Sequence, residues 1–352
     1  MPISLSLPRI STNVRFAASS LLFPELAGAW AERVFLTPPR QRDAAAAALD
    51  LIDARSGLIE HRGRSIATWH WGRRDAPAVL LAHGWGGYAA QMRGFVFPLL
   101  GAGYLEYRGR SLATWRWGPR DAPAVLLAHG WGGHAAQMRG FVPRLLAEGL
   151  RVIAYDQPAH GLSEGKLTGL PDFAGALAAV AARHGNVRHV IAHSLGGVAT
   201  AIALARAQSS PARGLRLQST VLISPPSDLV GYSRQFARWY WMPEPLRRAM
   251  QAAIEERFGL RWFELEIPRL APRLNTPALV IHDRDDGIVP WKQGAALAHA
   301  WPGARLLSTE GLGHGRILES DAALRAAADF IAGRSQVASP AAPALPHPAP
   351  VY

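Results

Sequence analysis

The run Val187-Arg188-His189-Val190-Ile191-Ala192-His193-Ser194-Leu195-Gly196-Gly197 decides the fold. Its first part, Val187 to Ile191, is apolar and β-branched and reads as a buried strand. A small-x-Ser-x-Gly turn follows, and then an Ala- and Leu-rich helical stretch, Val198 to Ala207. Strand, tight turn and helix put a serine at the apex. Small residues flank it because strand and helix approach closely there. The same strained geometry lifts the hydroxyl out of the sheet toward a cleft.

Outward from this turn, strands alternate with helices. "PAVLLAHG" (123–130) and Arg151–Asp156 read as buried strands on either side of a helix, Ala135–Glu148. Leu170–His184 is a helix, Thr220–Ser224 and Ala278–His282 are strands, and Lys292–Trp301 is a helix. Arg305–Ser308 is a short strand, and Asp321–Ile331 is the closing helix. This alternation predicts an α/β fold with a mostly parallel sheet and helices on both faces. Function then belongs in loops beyond the carboxyl ends of strands. Residues 227–277 interrupt the alternation with Trp239, Tyr240, Trp241, Trp262 and a helix candidate at Pro245–Phe258. They are expected to form a small helical cap. Residues 1–54 read as a helical leader, with candidates at Leu26–Phe35 and Asp43–Ala54, and 336–352 as a disordered Pro/Ala-rich tail. The main domain is expected over 55–335.

Residues 60–105 recur as 106–151, an offset of 46 with about three quarters of positions identical. Each copy carries a strand ("SIATWHWG" or "SLATWRWG"), a buried strand and a helix. The repeat reads as a tandem duplication with one redundant copy, as a doubled half-site, or as an error of sequence assembly. It offers two Gly-rich loops, His83–Gly87 and His129–Gly133.

Ser194 is a poor nucleophile unless an imidazole takes its proton, and the imidazole needs a carboxylate partner. In strand-to-helix serine enzymes the order is Ser, acid, His. Downstream stand Asp283, Asp285 and Asp286 at a strand end, then His314 in Gly311-Leu312-Gly313-His314-Gly315. His160, His193 and His282 lie beside these motifs and read as structural. No spacing of His, Asp or Glu suggests a metal site, and no Gly-rich phosphate loop is present.

Here the residues resemble the α/β-hydrolase superfamily, over roughly residues 55–333. Ala192-His193-Ser194-Leu195-Gly196 is similar to its nucleophile elbow, with Ala192 at the usual first Gly. "HGWGG" resembles its oxyanion loop, "DQPAHGLSEG" its Asp-x-Pro-x-His-Gly-x-Ser loop, "HDRDDGIVP" its acid loop and "GLGHGRIL" its histidine loop. The resemblance implies Ser194 as nucleophile, His314 as general base and then acid, and Asp286 as its orienting carboxylate. It implies backbone N–H donors from Leu195 and from the Trp of the HGWGG loop. That Trp is Trp131 in the second copy, whose helix runs directly into the next strand; Trp85 of the first copy is the alternative. The implied function is a serine esterase working through an acyl-enzyme on a small ester-like substrate with an apolar part. A thioesterase, lactonase, acyltransferase or haloperoxidase, or a non-catalytic binding protein of the same fold, are the alternatives. No cofactor is expected.

Composition narrows the rest. Net charge is +12, but only Lys166 and Lys292 are lysines among 38 basic residues. The arginines are scattered in an Ala-, Gly- and Pro-rich chain, which reads as genome bias and not as a nucleic-acid footprint. The chain has no cysteine, which excludes disulfides, thiolate metal sites and a cysteine nucleophile. No apolar stretch reaches the ~18–20 residues of a membrane helix. The apolar segment Phe16–Trp30 is broken by Pro24 and Glu25 and has no basic cluster before it, so no signal peptide is expected. The expected setting is cytoplasmic.

Overall fold

The computed structural model describes residues 24–37, 55–70, 80, 102–209 and 215–334. The Asp43–Ala54 helix candidate, the first copy's HGWGG loop with Trp85 and the 336–352 tail lie outside these residues.

The core strands are continuous apolar runs, which belong in a sheet covered on both faces. They are β5 (Ala124–Ala128), β6 (Arg151–Tyr155), β7 (Val187–His193), β8 (Ser219–Ile223) and β9 (Ala278–Asp283). With β10 (Arg305–Thr309), β4 (Arg110–Trp117) and β3 (Ala102–Tyr107) they form one eight-stranded sheet, ordered β10-β9-β8-β7-β5-β6-β4-β3. The strands from β10 to β6 pair in parallel, and β4 and β3 complete the edge in antiparallel register. This is the α/β-hydrolase fold, with a mixed, mostly parallel sheet.

Side-chain alternation sorts the core into two layers. Leu126, Ala128, Ile153, Tyr155 and Leu222 face one layer, with the helices Leu170–His184 and Leu195–Ser209. Val125, Leu127, Val152, Ala154 and Val221 face the other, with Phe141–Ala147 and Asp321–Ile331. One sequence expectation is corrected here: Ala135–Glu148 is not one helix. A 3₁₀ turn, Ala135–Met138, precedes a seven-residue helix, Phe141–Ala147. Gly140 stands at the break, where a Cβ would meet the Leu324 side chain at 3.1 Å.

The repeat is visible in two hairpins. β1 (Arg55–His61) and β2 (Arg64–His70) pair in a separate two-stranded sheet. Their register, Ile59 opposite Ile66, matches Leu105 opposite Leu112 in β3–β4. Both turns are Arg-Gly with positive φ, Arg62-Gly63 and Arg108-Gly109, as a tight I′-type connection needs. Leu112 is fully buried whereas Ile59 and Ile66 are exposed, so the hairpin at the junction of the two copies, Ala102–Trp117, supplies the sheet edge.

Between β8 and β9 the chain folds into the helices Leu229–Trp239, Glu244–Phe258 and Ile267–Leu270. The N-terminal helix, Pro24–Leu36, belongs to the same layer, with Ala27 and Ala31 buried. A Cβ added at its Gly28 would stand 3.6 Å from the Ala249 Cβ, an ordinary contact. A Glu32–Arg257 ion pair joins the two helices.

Candidate active site

β7 ends at His193 and the next helix begins at Leu195, leaving Ser194 alone between them. Its φ of 51° is the left-handed region that costs a non-glycine residue energy. The turn is held by Ser194 N–H donating to Ile223 O at 2.8 Å and Gly197 N–H donating to Ser194 O at 2.8 Å. Close approach explains the small residues. A Cβ at Gly196 would stand 2.6 Å from Ala128 O, and one at Gly130 would stand 2.8 Å from the Ser194 Cβ. The second copy's Gly-rich loop is therefore packed directly on the serine.

The three aspartates after β9 separate by partner. Asp286 Oδ2 lies 2.8 Å from His314 Nδ1, and its Oδ1 accepts the N–H groups of Ile288 and Val289, each at 2.9 Å. His282 Nε2 also lies 3.4 Å from Asp286 Oδ2. Burial alone would raise the Asp286 carboxyl; hydrogen bonds from His282 and His314 outweigh it and hold the group well below the usual carboxylate range. Asp283 instead clamps the histidine loop. It accepts from Gly313 N at 2.9 Å, Leu312 N at 3.1 Å and Thr309 Oγ1 at 2.7 Å. Asp285 accepts from Gly311 N at 2.7 Å. Ser194 and His314 line one groove, and Asp286 backs His314.

Two histidines that the sequence offered only as structural prove to be braces for the site. His160 Nδ1 lies 3.0 Å from Pro158 O, so that nitrogen carries the proton. Its Nε2 is then free to accept the Gly132 N–H at 2.9 Å, inside the HGWGG loop. His193 Nε2 donates to the His314 carbonyl at 2.9 Å, with ring centroids 4.6 Å apart. Burial, reinforced by His314, brings the His193 imidazole down to about 3, so it stays neutral. Each brace links residues far apart in sequence, and no local pattern announces it. Beneath the loop, Gln157 N–H donates to His129 Nε2 at 2.9 Å. Asp156 accepts from Ala135 N and Leu162 N, both at 2.7 Å.

The groove has a volume of about 390 Å³ and includes Gly130, Trp131, Ser194, His314, Arg139 and Arg316. Behind Trp131 and Leu195 lies a second, apolar cavity of about 60 Å³. The two arginines and the residues of the N-terminal helix that line this cavity were not singled out from the sequence; only the fold brings them there. Among the described residues no cluster of His, Asp or Glu could hold a metal ion, and no helix is long and apolar enough to cross a membrane.

Comparison with known proteins supports the fold and the family. The sequence profile of the Alpha/beta hydrolase family matches residues 125–328. Over 56 residues the chain is 45% identical to the "Putative carbamate hydrolase RutD" of Pseudomonas savastanoi pv. phaseolicola (strain 1448A / Race 6). That alignment covers 16% of this chain and spans about a fifth of the relative, 21% of its length. Among solved structures, Est1E from Butyrivibrio proteoclasticus matches with a TM-score of 0.53 at 17% identity, covering 66% of this chain and 98% of that one. The enol-lactonase from Burkholderia xenovorans LB400 matches with a TM-score of 0.50 at 21% identity, covering 65% and 99%. At such identities the two structures speak for the fold. The profile match spans more than half of the 352 residues, and the chain belongs to the alpha/beta hydrolase family.

Proposed function

We propose that the chain is a serine hydrolase that cleaves carboxylic ester-like bonds through an acyl-enzyme. The observation that carries this reading is the 2.8 Å contact between His314 Nδ1 and Asp286 Oδ2, beside a groove that also holds Ser194 on its strained turn. Asp286 stays ionised, accepts a hydrogen bond from His314 Nδ1–H and stabilises the imidazolium that forms. His314 Nε2 then takes the Ser194 hydroxyl proton as Oγ attacks the acyl carbon. Negative charge develops on the carbonyl oxygen, and the N–H groups of Leu195 and Trp131 receive it. Each such donor is worth ~10²–10³ in rate. Collapse expels the alcohol, which takes its proton from His314. Water, activated by His314, then hydrolyses the acyl-enzyme.

In this reading Trp131 of the second copy, not Trp85, is the loop donor, because Gly130 of that copy packs against Ser194. The helices of 227–277 act as the cap, and the substrate is a small molecule with an apolar part facing them.

A p-nitrophenyl ester tests the mechanism. Rapid mixing is expected to release a burst of about one equivalent of nitrophenol per enzyme, with a matching acyl adduct on Ser194 by intact mass. Hydrolysis by the Ser194→Ala variant at the wild-type rate would refute it.

A further inference from the structure

The cavity behind Trp131 is bounded in part by a helix that the family match does not include. That match begins at residue 125, whereas Phe35 and Leu36 come from the helix Pro24–Leu36. The Phe35 ring sits among three other rings that line the same cavity. Its centroid is 4.6 Å from Phe236, edge to face, 5.8 Å from Trp262 and 6.1 Å from Trp131. Leu195 and Trp131, which flank the serine turn and the oxyanion loop, complete the wall toward the groove. The ring is not loosely held. Thr168 N–H donates to Leu36 O at 3.1 Å, Leu36 is buried, and Glu32 pairs with Arg257 one turn earlier.

We propose that Phe35 is a specificity-determining residue that limits the acyl group to a short apolar chain. This rests on the serine hydrolase reading. An acyl carbon at Ser194 between Leu195 and Trp131 has two ways to extend: into the open groove with Arg139 and Arg316, or into the apolar cavity. The larger, polar alcohol part fits the 390 Å³ groove. The apolar acyl part fits the cavity, whose lining includes a single phenol, Tyr232, among apolar side chains. Burial pushes that phenol up to about 12, so it brings no charge to the cavity. A cavity of about 60 Å³, several times the ~10–15 Å³ minimum for one water, is small and takes a short chain only. The Phe35 ring occupies the space in which a longer chain would continue.

The test is a kcat/KM series over p-nitrophenyl esters from acetate to dodecanoate, for wild type, Phe35→Ala, Phe35→Trp and the exposed cap control Trp241→Ala. Wild type and Trp241→Ala are expected to prefer butyrate or hexanoate. Phe35→Ala is expected to raise the octanoate-to-butyrate ratio by about 10-fold or more, since one methylene in an apolar pocket is worth ~10–200-fold. Phe35→Trp is expected to move the preference to acetate. Should Phe35→Ala fail to fold, Phe35→Trp decides. Fluorophosphonate labelling of the same preparations reads Ser194 separately. Labelled Phe35 variants whose chain-length preference matches wild type would overturn the inference alone. Folded wild type that neither labels nor hydrolyses any ester would overturn the reading beneath it.

Discussion

At the scale of the residue, the proposed site separates groups assigned to the chemistry from groups that hold others in place. Of the three aspartates, Asp286 contacts His314, while Asp283 and Asp285 bind backbone of the 309–313 loop. Asp286→Asn should therefore lower kcat by ~10³–10⁴, far out of proportion to the loss of melting temperature that follows from removing its charge. Asp283→Ala, which removes the acceptor of several half-buried donors, should cost stability first, about 1–3 kcal/mol in all. Steady-state kinetics alongside thermal melts distinguish the two; equal kinetic losses would contradict the assignment. His160 offers a second check. His160→Ala leaves Gly132 N–H without its acceptor, so kcat is expected to fall about 10-fold at nearly constant KM, with partial rescue in His160→Gln. A change confined to KM would argue against a role through the oxyanion loop. That Ser194, Asp286 and His314 would be brought together was legible in the sequence because each sits in a loop with its own local grammar. The braces His160 and His193 were not, because their partners, Gly132 and His314, are fixed only by tertiary packing.

At the scale of the element, legibility followed burial. β5, β6, β8 and β9 are buried along their whole length, so their apolar runs mark them plainly. The edge strand β3, Ala102–Tyr107, has no such run, and its hairpin turns on Arg108-Gly109 in place of the Asn-Gly that advertises a turn. The helix break at Gly140 was equally hidden, because its reason is the Leu324 side chain on another helix. The repeat makes a prediction here. Deleting 60–105 joins Ile59 to Glu106, so Ser56-Gly57-Leu58-Ile59 takes the place of Ala102-Gly103-Tyr104-Leu105. The edge hairpin is rebuilt with Gly57 where Gly103 stood. The shortened protein is expected to keep its circular dichroism, cooperative unfolding and esterase activity. Complete loss of folding would show that the first copy is part of the core.

At the scale of the whole molecule, part of the arginine complement is engaged in structure. Arg144 pairs with Asp321, Arg257 with Glu32, Arg261 with Glu255 and Arg334 with Glu148. Buried histidines govern the acid side of stability. Burial lowers His129 well below its ordinary value, His189 to about 4 and His193 to about 3. Unfolded, each titrates near ~6.5. Between there and about pH 4 the unfolded chain binds more protons, so stability present at neutral pH is lost as pH falls. Asp156 acts in the opposite sense: burial raises it to about 6, so the folded state binds its proton first. Burial raises Asp172 and Glu266 as well, but it also lowers His134 and His184, so five imidazoles outweigh three carboxyls. The unfolding free energy from urea titrations is expected to fall between pH 7 and pH 5, by an amount on the order of a few kcal/mol, with a matching fall in the midpoint, and His189→Gln should flatten the slope. A midpoint constant over that range would contradict this. The N-terminal helix was readable at Leu26–Phe35, but its place in the wall of a cavity was not, because that depends on the Glu244–Phe258 helix far along the chain.

The central claim is that Ser194 is an activated nucleophile. Labelling of the full chain with a fluorophosphonate probe tests it most directly, since the probe reacts with a serine only where a neighbouring base has taken its proton. Folded wild type is expected to label to near one equivalent, with the adduct mapped to Ser194, and folded Ser194→Ala is expected not to label. Wild type that stays unlabelled, or Ser194→Ala that labels as fully as wild type, would contradict the account.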